Sequence, residues 1–148
     1  MATRGVYTDV YREKLATLGA DLVGASNADA PLMRVSYFKI GEGGSTLGVP
    51  DAPDPTLTDI QATGAPLYFF QKAFAPGDVT ATLGTLRCVI SLDPGEGNGP
   101  GVGGDPVFYE LGIFDENDDM LAYVTFDGKL KNAGLSLAAI IDIKYART

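Results

Sequence analysis

Residues 107–126 read VFYELGIFDENDDMLAYVTF. Two apolar, β-prone runs flank a short acidic turn, Asp115–Asp119, which is the pattern of an antiparallel β-hairpin. Working outward, Val79–Leu92 alternates so that Leu86, Cys88, Ile90 and Leu92 share one face of a strand, with Gly84 as a place for a bulge or bend. Leu67–Phe74 (LYFFQKAF) is a further strand, ended by the turn signal Pro76-Gly77-Asp78. Leu32–Ile40 (LMRVSYFKI) places Met33, Val35 and Tyr37 on one face and Phe38 and Ile40 on the other, so both faces are expected to be covered. Leu135–Tyr145, containing LAAIIDIKY, can close a sheet, although Ala138-Ala139 also suits a helix.

The remaining segments are a helix and loops. Tyr11, Leu15, Leu18 and Leu22 follow a helical stripe over Tyr7–Val23. Thr8 or Thr3 can cap this helix and Gly24 can end it, with Arg12, Glu13 and Lys14 facing water. Ser26–Pro31 reads as a turn. Two stretches are rich in Gly and Pro: 41–66, where only Thr56–Ala62 suggests a short element, and 93–106. The expected architecture is one domain over residues 1–148, with a helix in 1–24 and a β core in 32–145 interrupted by these loops. Its class is mainly β, a sandwich-like antiparallel arrangement.

A chain of 148 residues suffices for a core without staples, and a single cysteine, Cys88, excludes an intrachain disulfide. The net charge is −8, and from Cys88 through Gly128 there are nine Asp or Glu and no Lys or Arg. That surface repels phosphate backbones and anionic membranes. It favours solubility or a partner with a basic patch. No run reaches transmembrane length and the N-terminus lacks the apolar core of a signal peptide, so neither membrane insertion nor secretion is expected.

The absence of histidine removes Ser–His–Asp and Cys–His catalysis and most zinc and iron sites. Cys88 lies among Leu86, Val89 and Ile90 and reads as a buried hydrophobe. Gly99–Gly104 (GPGVGG) matches a dinucleotide fingerprint in letters, but a β-type run follows where a helix is required. Asp115-x-Asn117-x-Asp119 begins like a calcium loop, yet Met120 and Phe126 replace its Gly and Glu. Glu110 is the best candidate for carboxylate hydrolysis, though alternation places it on the outward face of its strand, and there is no tryptophan to stack a sugar. No catalytic residue, metal ligand or cofactor is therefore assigned, and the chain is not expected to be an enzyme.

Several segments together resemble the tail-collar fibre and baseplate tail-fibre attachment proteins of bacteriophages. They are the helix-forming N-terminus, the strand-to-glycine phrase YFKIGEGG at 37–44, the loop Asp54–Asp59, and YELGIFDENDDMLAY at 109–123. The chain departs from that family in having Asp118-Asp119 where a Gly is often found, and in ending at Thr148 with no fibre shaft. The resemblance implies a virion protein of the phage tail, assembled in the bacterial host cytoplasm. It would be a baseplate or fibre-attachment subunit that is homo-oligomeric and contacts other tail, baseplate or fibre proteins. Its candidate assembly loops contain Gly41, Gly43, Gly44, Pro53, Asp54, Pro55, Gly99, Gly101 and Gly104, and its family-like hairpin is Glu110, Leu111, Gly112, Ile113, Phe114 and Asp115. A small carbohydrate-binding β domain used in host adsorption is the alternative.

Overall fold

The computed structural model describes residues 4–21, 34–64, 66–82 and 84–144. The expected turn at 26–31, the helix stop at Gly24, the alternative cap Thr3, the strand residues Leu32 and Met33, and Tyr145 lie outside them. Ten strands are described: β1 (Arg4–Tyr7), β2 (Val35–Gly41), β3 (Ser45–Thr46), β4 (Val49–Pro50), β5 (Phe69–Ala73), β6 (Val79–Thr82), β7 (Thr85–Leu92), β8 (Val107–Asp115), β9 (Met120–Leu130) and β10 (Leu137–Lys144). One α-helix, α1 (Asp9–Asp21), follows β1. A five-stranded antiparallel sheet has the order β1-β9-β8-β2-β5, a three-stranded sheet the order β10-β7-β6, and β3-β4 form a small hairpin.

The hairpin of residues 107–126 is the centre of the large sheet, with Ile113 opposite Ala122 and Leu111 opposite Val124. Phe38 and Ile40 from β2, Phe108, Leu111 and Ile113 from β8, and Ala122 from β9 meet Cys88, Ile90 and Leu92 of β7 and Ile143 of β10 in one buried cluster. That cluster joins the two sheets and makes the fold a sandwich. The alternation over 86–92 is thus used as expected, but the run from Val79 is two strands, because Gly84 adopts φ +78° in a tight turn between β6 and β7.

A second cluster lies on the opposite face of the large sheet: Tyr37, Phe114, Met120 and Tyr123, covered by Ile60 and Ala62. β2 therefore buries both faces, as its sequence requires. Val35 and Tyr37 do not share a face, however. A register shift between them lets Val35 pack with the inner cluster while Tyr37 joins the outer one.

The helix begins two residues later than its stripe suggests. Tyr7 belongs to β1, which pairs with β9 from Arg4 opposite Thr125 to Tyr7 opposite Ala122. Thr8 is the cap: its Oγ1 accepts from the Tyr11 N–H at 3.2 Å, satisfying an orphan donor of the first turn. Of the stripe, Leu22 lies outside the described residues; Tyr11 is enclosed and Leu15 is exposed. Lys14 does not face water. It bridges the Asp115 and Asp119 carboxylates at the hairpin turn.

Candidate functional site

The outer face of the large sheet is shaped by one carboxylate. A register shift in β8 between Phe108 and Glu110 sends Phe108 into the sandwich and turns Glu110 to the other face. That face is outward only in topology. The segment 42–64 folds over it, and Glu110 is 0% exposed. Its Oε1 accepts from the Ala62 N–H at 2.7 Å, and its Oε2 from the Gln61 N–H at 2.8 Å and the Tyr123 hydroxyl at 2.6 Å. Burial pushes the Glu110 carboxyl above its ordinary range, against the pull of these donors and of the Gly43 N–H. Burial and the Glu110 hydrogen bond likewise raise the Tyr123 phenol.

Further ties hold the segment. Lys39 pairs with both Asp59 oxygens at 3.0 Å while lying over the Phe114 ring. The Thr125 hydroxyl donates to the Asp51 carbonyl at 2.8 Å, and the Asp9 N–H to the Pro55 carbonyl at 2.8 Å. The long Gly/Pro stretch is thus an ordered strap containing the β3–β4 hairpin and a single 3-10 turn, Gln61–Thr63. As its Gly and Pro content predicts, most of its described residues lie outside regular strands and helices, and they are ordered by partners far away in sequence.

Glu42 links this strap to the second Gly-rich loop. Its carboxylate accepts from the Tyr68 N–H at 3.0 Å and the Val102 N–H at 3.1 Å. A Cβ on Gly101 would lie 2.3 Å from Glu42 Oε1 and 2.7 Å from Pro106 Cα, so only glycine fits there. The two loops marked as candidate assembly surfaces therefore meet. Around their junction lies a groove lined by Glu42, Leu67, Val102, Asp105, Val107, Tyr109 and Leu130, with a volume of about 510 Å³. Leu67, Val102 and Leu130 are exposed there, as are Leu47 and Val49 on the neighbouring β3–β4 hairpin.

Leu47 is unusual twice over. It is 99% exposed, and it adopts φ +52° ahead of Gly48 at φ +79°. Paired positive φ values suit a two-residue hairpin turn, where Asn or Gly is the favoured first residue. A leucine there is disfavoured both by its backbone and by its contact with water.

The residues singled out from sequence fall into two groups. Gly41, Gly43 and Gly44 are buried, not displayed. A Cβ on Gly43 would stand 2.5 Å from Glu110 Oε1 and one on Gly44 2.9 Å from the Glu110 Cβ, so these glycines let the strap reach the carboxylate. Glu110, Leu111, Gly112, Ile113, Phe114 and Asp115 are buried as well. Glu110 was expected to face outward, and the covering strap is what reverses that. Asp54 is exposed and accepts from the Thr56 N–H and hydroxyl, while its neighbours Pro53 and Pro55 are half-buried. Gly99 and Gly101 are half-buried and Gly104 is exposed.

The sites considered for chemistry have structural explanations. Gly101 and Gly104 exchange backbone hydrogen bonds across a tight turn that leads into β8, not into a helix. Asp115 Oδ1 accepts from the Asn117 and Asp119 N–H groups, while Lys14 supplies the cation at this turn. Hydrogen bonds to Asp115 and Asp119 outweigh the effect of burial and hold the Lys14 ammonium above its usual value. Cys88 is fully buried, and burial pushes its thiol up to about 11. Among the described residues no group of His, Cys, Asp or Glu has the arrangement of a metal site, and no helix is long and apolar enough to cross a membrane.

Sequence reasoning missed Leu47, Val49, Leu67, Val102 and Leu130 as surface residues, and Glu42 as the link between loops. The available signal was the presence of isolated apolar residues within Gly/Pro-rich turns, where polar residues are the rule. No family model matches the chain, and no curated protein or solved structure matches it.

Proposed function

We propose that this chain is a structural protein of a phage tail, a baseplate or fibre-attachment subunit that works by binding other tail proteins and not by catalysis. The observation that carries the reading is the junction of the two Gly-rich loops. Glu42 fixes them side by side, and the exposed apolar residues Leu67, Val102 and Leu130 line the groove they form, while Leu47 and Val49 are exposed on the β3–β4 hairpin, whose Gly48 lies close to the Tyr109 hydroxyl of that groove. Clustered apolar surface on a chain of net charge −8 is a docking feature. The two phrases of the family resemblance support the same reading. YFKIGEGG and YELGIFD pack against each other through Gly43, Gly44 and Glu110, so their shared role is to build a rigid strap.

The test is native mass spectrometry of purified virions, together with co-expression with the neighbouring genes' products. Fixed stoichiometry with a tail protein is expected, and it should be lost in Leu47→Asp and Val102→Asp variants that remain folded. A chain absent from particles, or variants that assemble normally, would reject the proposal. The carbohydrate-binding alternative draws on the same groove, where Tyr109 stands beside Glu42 and Asp105. Retention of the isolated chain on a glycan array would favour it.

A further inference from the structure

The side chains of the groove at the loop junction offer hydrogen-bond acceptors and almost no donors. The polar ones are Glu42, Asp105 and Tyr109, and no Lys or Arg lines the groove. Two lysines flank Leu130 in sequence, yet both turn elsewhere. Lys129 lines a separate cavity beside Leu137 and Ile141. Lys131 is buried, with its ammonium 2.7 Å from Asn98 Oδ1 and 3.0 Å from the Asn132 carbonyl. Both carboxylates of the groove keep accepting capacity. Glu42 Oε1 meets the Val107 N–H only at 3.4 Å, and the exposed Asp105 meets the Asn132 side-chain amide only at 3.4 Å. A carboxylate has about four lone-pair sites, so each can take further donors.

Tyr109 stands among them. A Cβ on Gly128 would lie 2.9 Å from Tyr109 Cε1, so the missing side chain lets the ring lie against β9. The Tyr109 hydroxyl has no hydrogen-bond partner among the described residues. Around it, Leu67, Val102 and Leu130 are 36%, 60% and 51% exposed. An unpaired hydroxyl and two under-used carboxylates among aliphatic side chains match a cation carried beside apolar groups.

We propose that this groove receives an extended segment of the tail partner in which an Arg or Lys stands next to a Leu, Ile or Val. The partner's aliphatic side chain covers Leu67, Val102 and Leu130. Its cation donates to Glu42 and Asp105, and the Tyr109 hydroxyl accepts from it. A guanidinium suits such a set, because its planar fork carries five donors. Charge selects the same occupant. With a net charge of −8 and no Lys or Arg from Cys88 through Gly128, the surrounding surface draws a basic segment and repels an acidic one. The volume of about 510 Å³ lies within the roughly 300–1,000 Å³ of clefts that hold a small ligand, so a short segment fits. The inference rests on the attachment reading, since it names the chemistry of the partner that reading requires.

The test pans a bead-displayed random heptapeptide library against the full chain and, in parallel, against Asp105→Lys. The wild type is expected to enrich peptides with Arg or Lys beside an aliphatic residue. Asp105→Lys should shift the preference toward Asp or Glu at that place. For an enriched peptide, fluorescence anisotropy should show binding weakened about threefold to tenfold by Tyr109→Phe and at least about tenfold by Leu130→Asp. Binding should also weaken with added salt. Circular dichroism and urea midpoints check that the variants are folded, and if Leu130→Asp unfolds the chain, the other two variants decide. A wild type that enriches no peptide, enriches acidic or uncharged ones, or binds equally well after these substitutions would overturn the proposal. Binding of maltohexaose in the groove in place of peptides would overturn it in favour of a carbohydrate. Mass spectrometry of virions separates the two readings. A chain present there at fixed stoichiometry but without the basic–aliphatic preference sinks this inference alone, whereas a chain absent from particles sinks the attachment reading and this inference with it.

Discussion

Replacing Glu110 should unfasten the strap. In Glu110→Ala, the Ala62 N–H and the Tyr123 hydroxyl, both enclosed, lose their acceptor along with the Gln61 N–H. A buried donor left without a partner costs about 1–3 kcal/mol. Two fully buried donors and the vacated side-chain volume, less the relief of no longer burying a carboxyl, bring the loss to about 3–5 kcal/mol. That is a large part of the roughly 5–15 kcal/mol that holds a domain together. Glu110→Gln keeps the shape and one acceptor but turns an NH₂ toward donors, so about 1–3 kcal/mol is expected. Urea unfolding gives both values from the midpoint at constant slope.

The pH dependence makes the reasoning sharper. Burial raises the Glu110 carboxyl above its unfolded value. Such a group adds stability that is fully present below the unfolded value of about 4.3 and is lost as pH rises through the folded value, because the folded state holds its proton longer. Gln does not titrate. The gap between wild type and Glu110→Gln should therefore be widest in acid and should narrow toward neutral pH. Other carboxylates titrate equally in both proteins and cancel in the difference. A gap that widens as pH rises would refute the reasoning, since it would mean that the four surrounding donors outweigh desolvation.

Three further changes test the neighbouring contacts. Gly43→Ala puts a Cβ 2.5 Å from Glu110 Oε1 and 2.9 Å from the Ala62 nitrogen, so a loss of about 1–3 kcal/mol is expected in the same urea assay. Lys14→Met leaves the enclosed Asp115 carboxylate without its cation and should lower the melting temperature, whereas Lys14→Arg should restore most of it. Leu47→Asn puts a residue that tolerates positive φ at this turn and should raise stability by about 0.5–1 kcal/mol, and under the proposed attachment role it should weaken capture of a tail protein in a pull-down.

The parts of the fold legible in sequence are those that depend on short-range alternation. Leu86 to Leu92 and the 107–126 hairpin carry their burial in a period of two, and the structure uses it. Thr8 was readable as a cap because capping is a local bond. What escaped depends on partners distant along the chain. Arg4–Tyr7 is too short to announce a strand and is one only because β9 offers an edge. Lys14 looked like a solvated helix residue until the hairpin turn folded beside it. Glu110 shows the limit most clearly. Alternation with Leu111 places it on the outer face despite the register shift after Phe108, but only the strap, 48 residues away at Ala62, decides that this face is dry.

The same dependence explains why the exposed residues carry the functional argument. Phe114, Tyr123 and Glu110 are constrained by packing and hydrogen bonding, so their identities are accounted for without reference to any partner. Leu47 has no such account. Its backbone would be easier with Asn and its side chain would be better kept from water, yet it stands at the tip of a hairpin whose base is held by the Thr125 bond to the Asp51 carbonyl and the Asp51 N–H bond to the Gly44 carbonyl. A strap held this firmly limits the entropy lost when its tip is immobilised against another surface. Local disadvantage on a rigid mount marks a contact residue. In the attachment reading, Leu47 is the group whose burial against a tail protein returns what folding alone gives up, and this is why greater stability and weaker capture should appear together in Leu47→Asn.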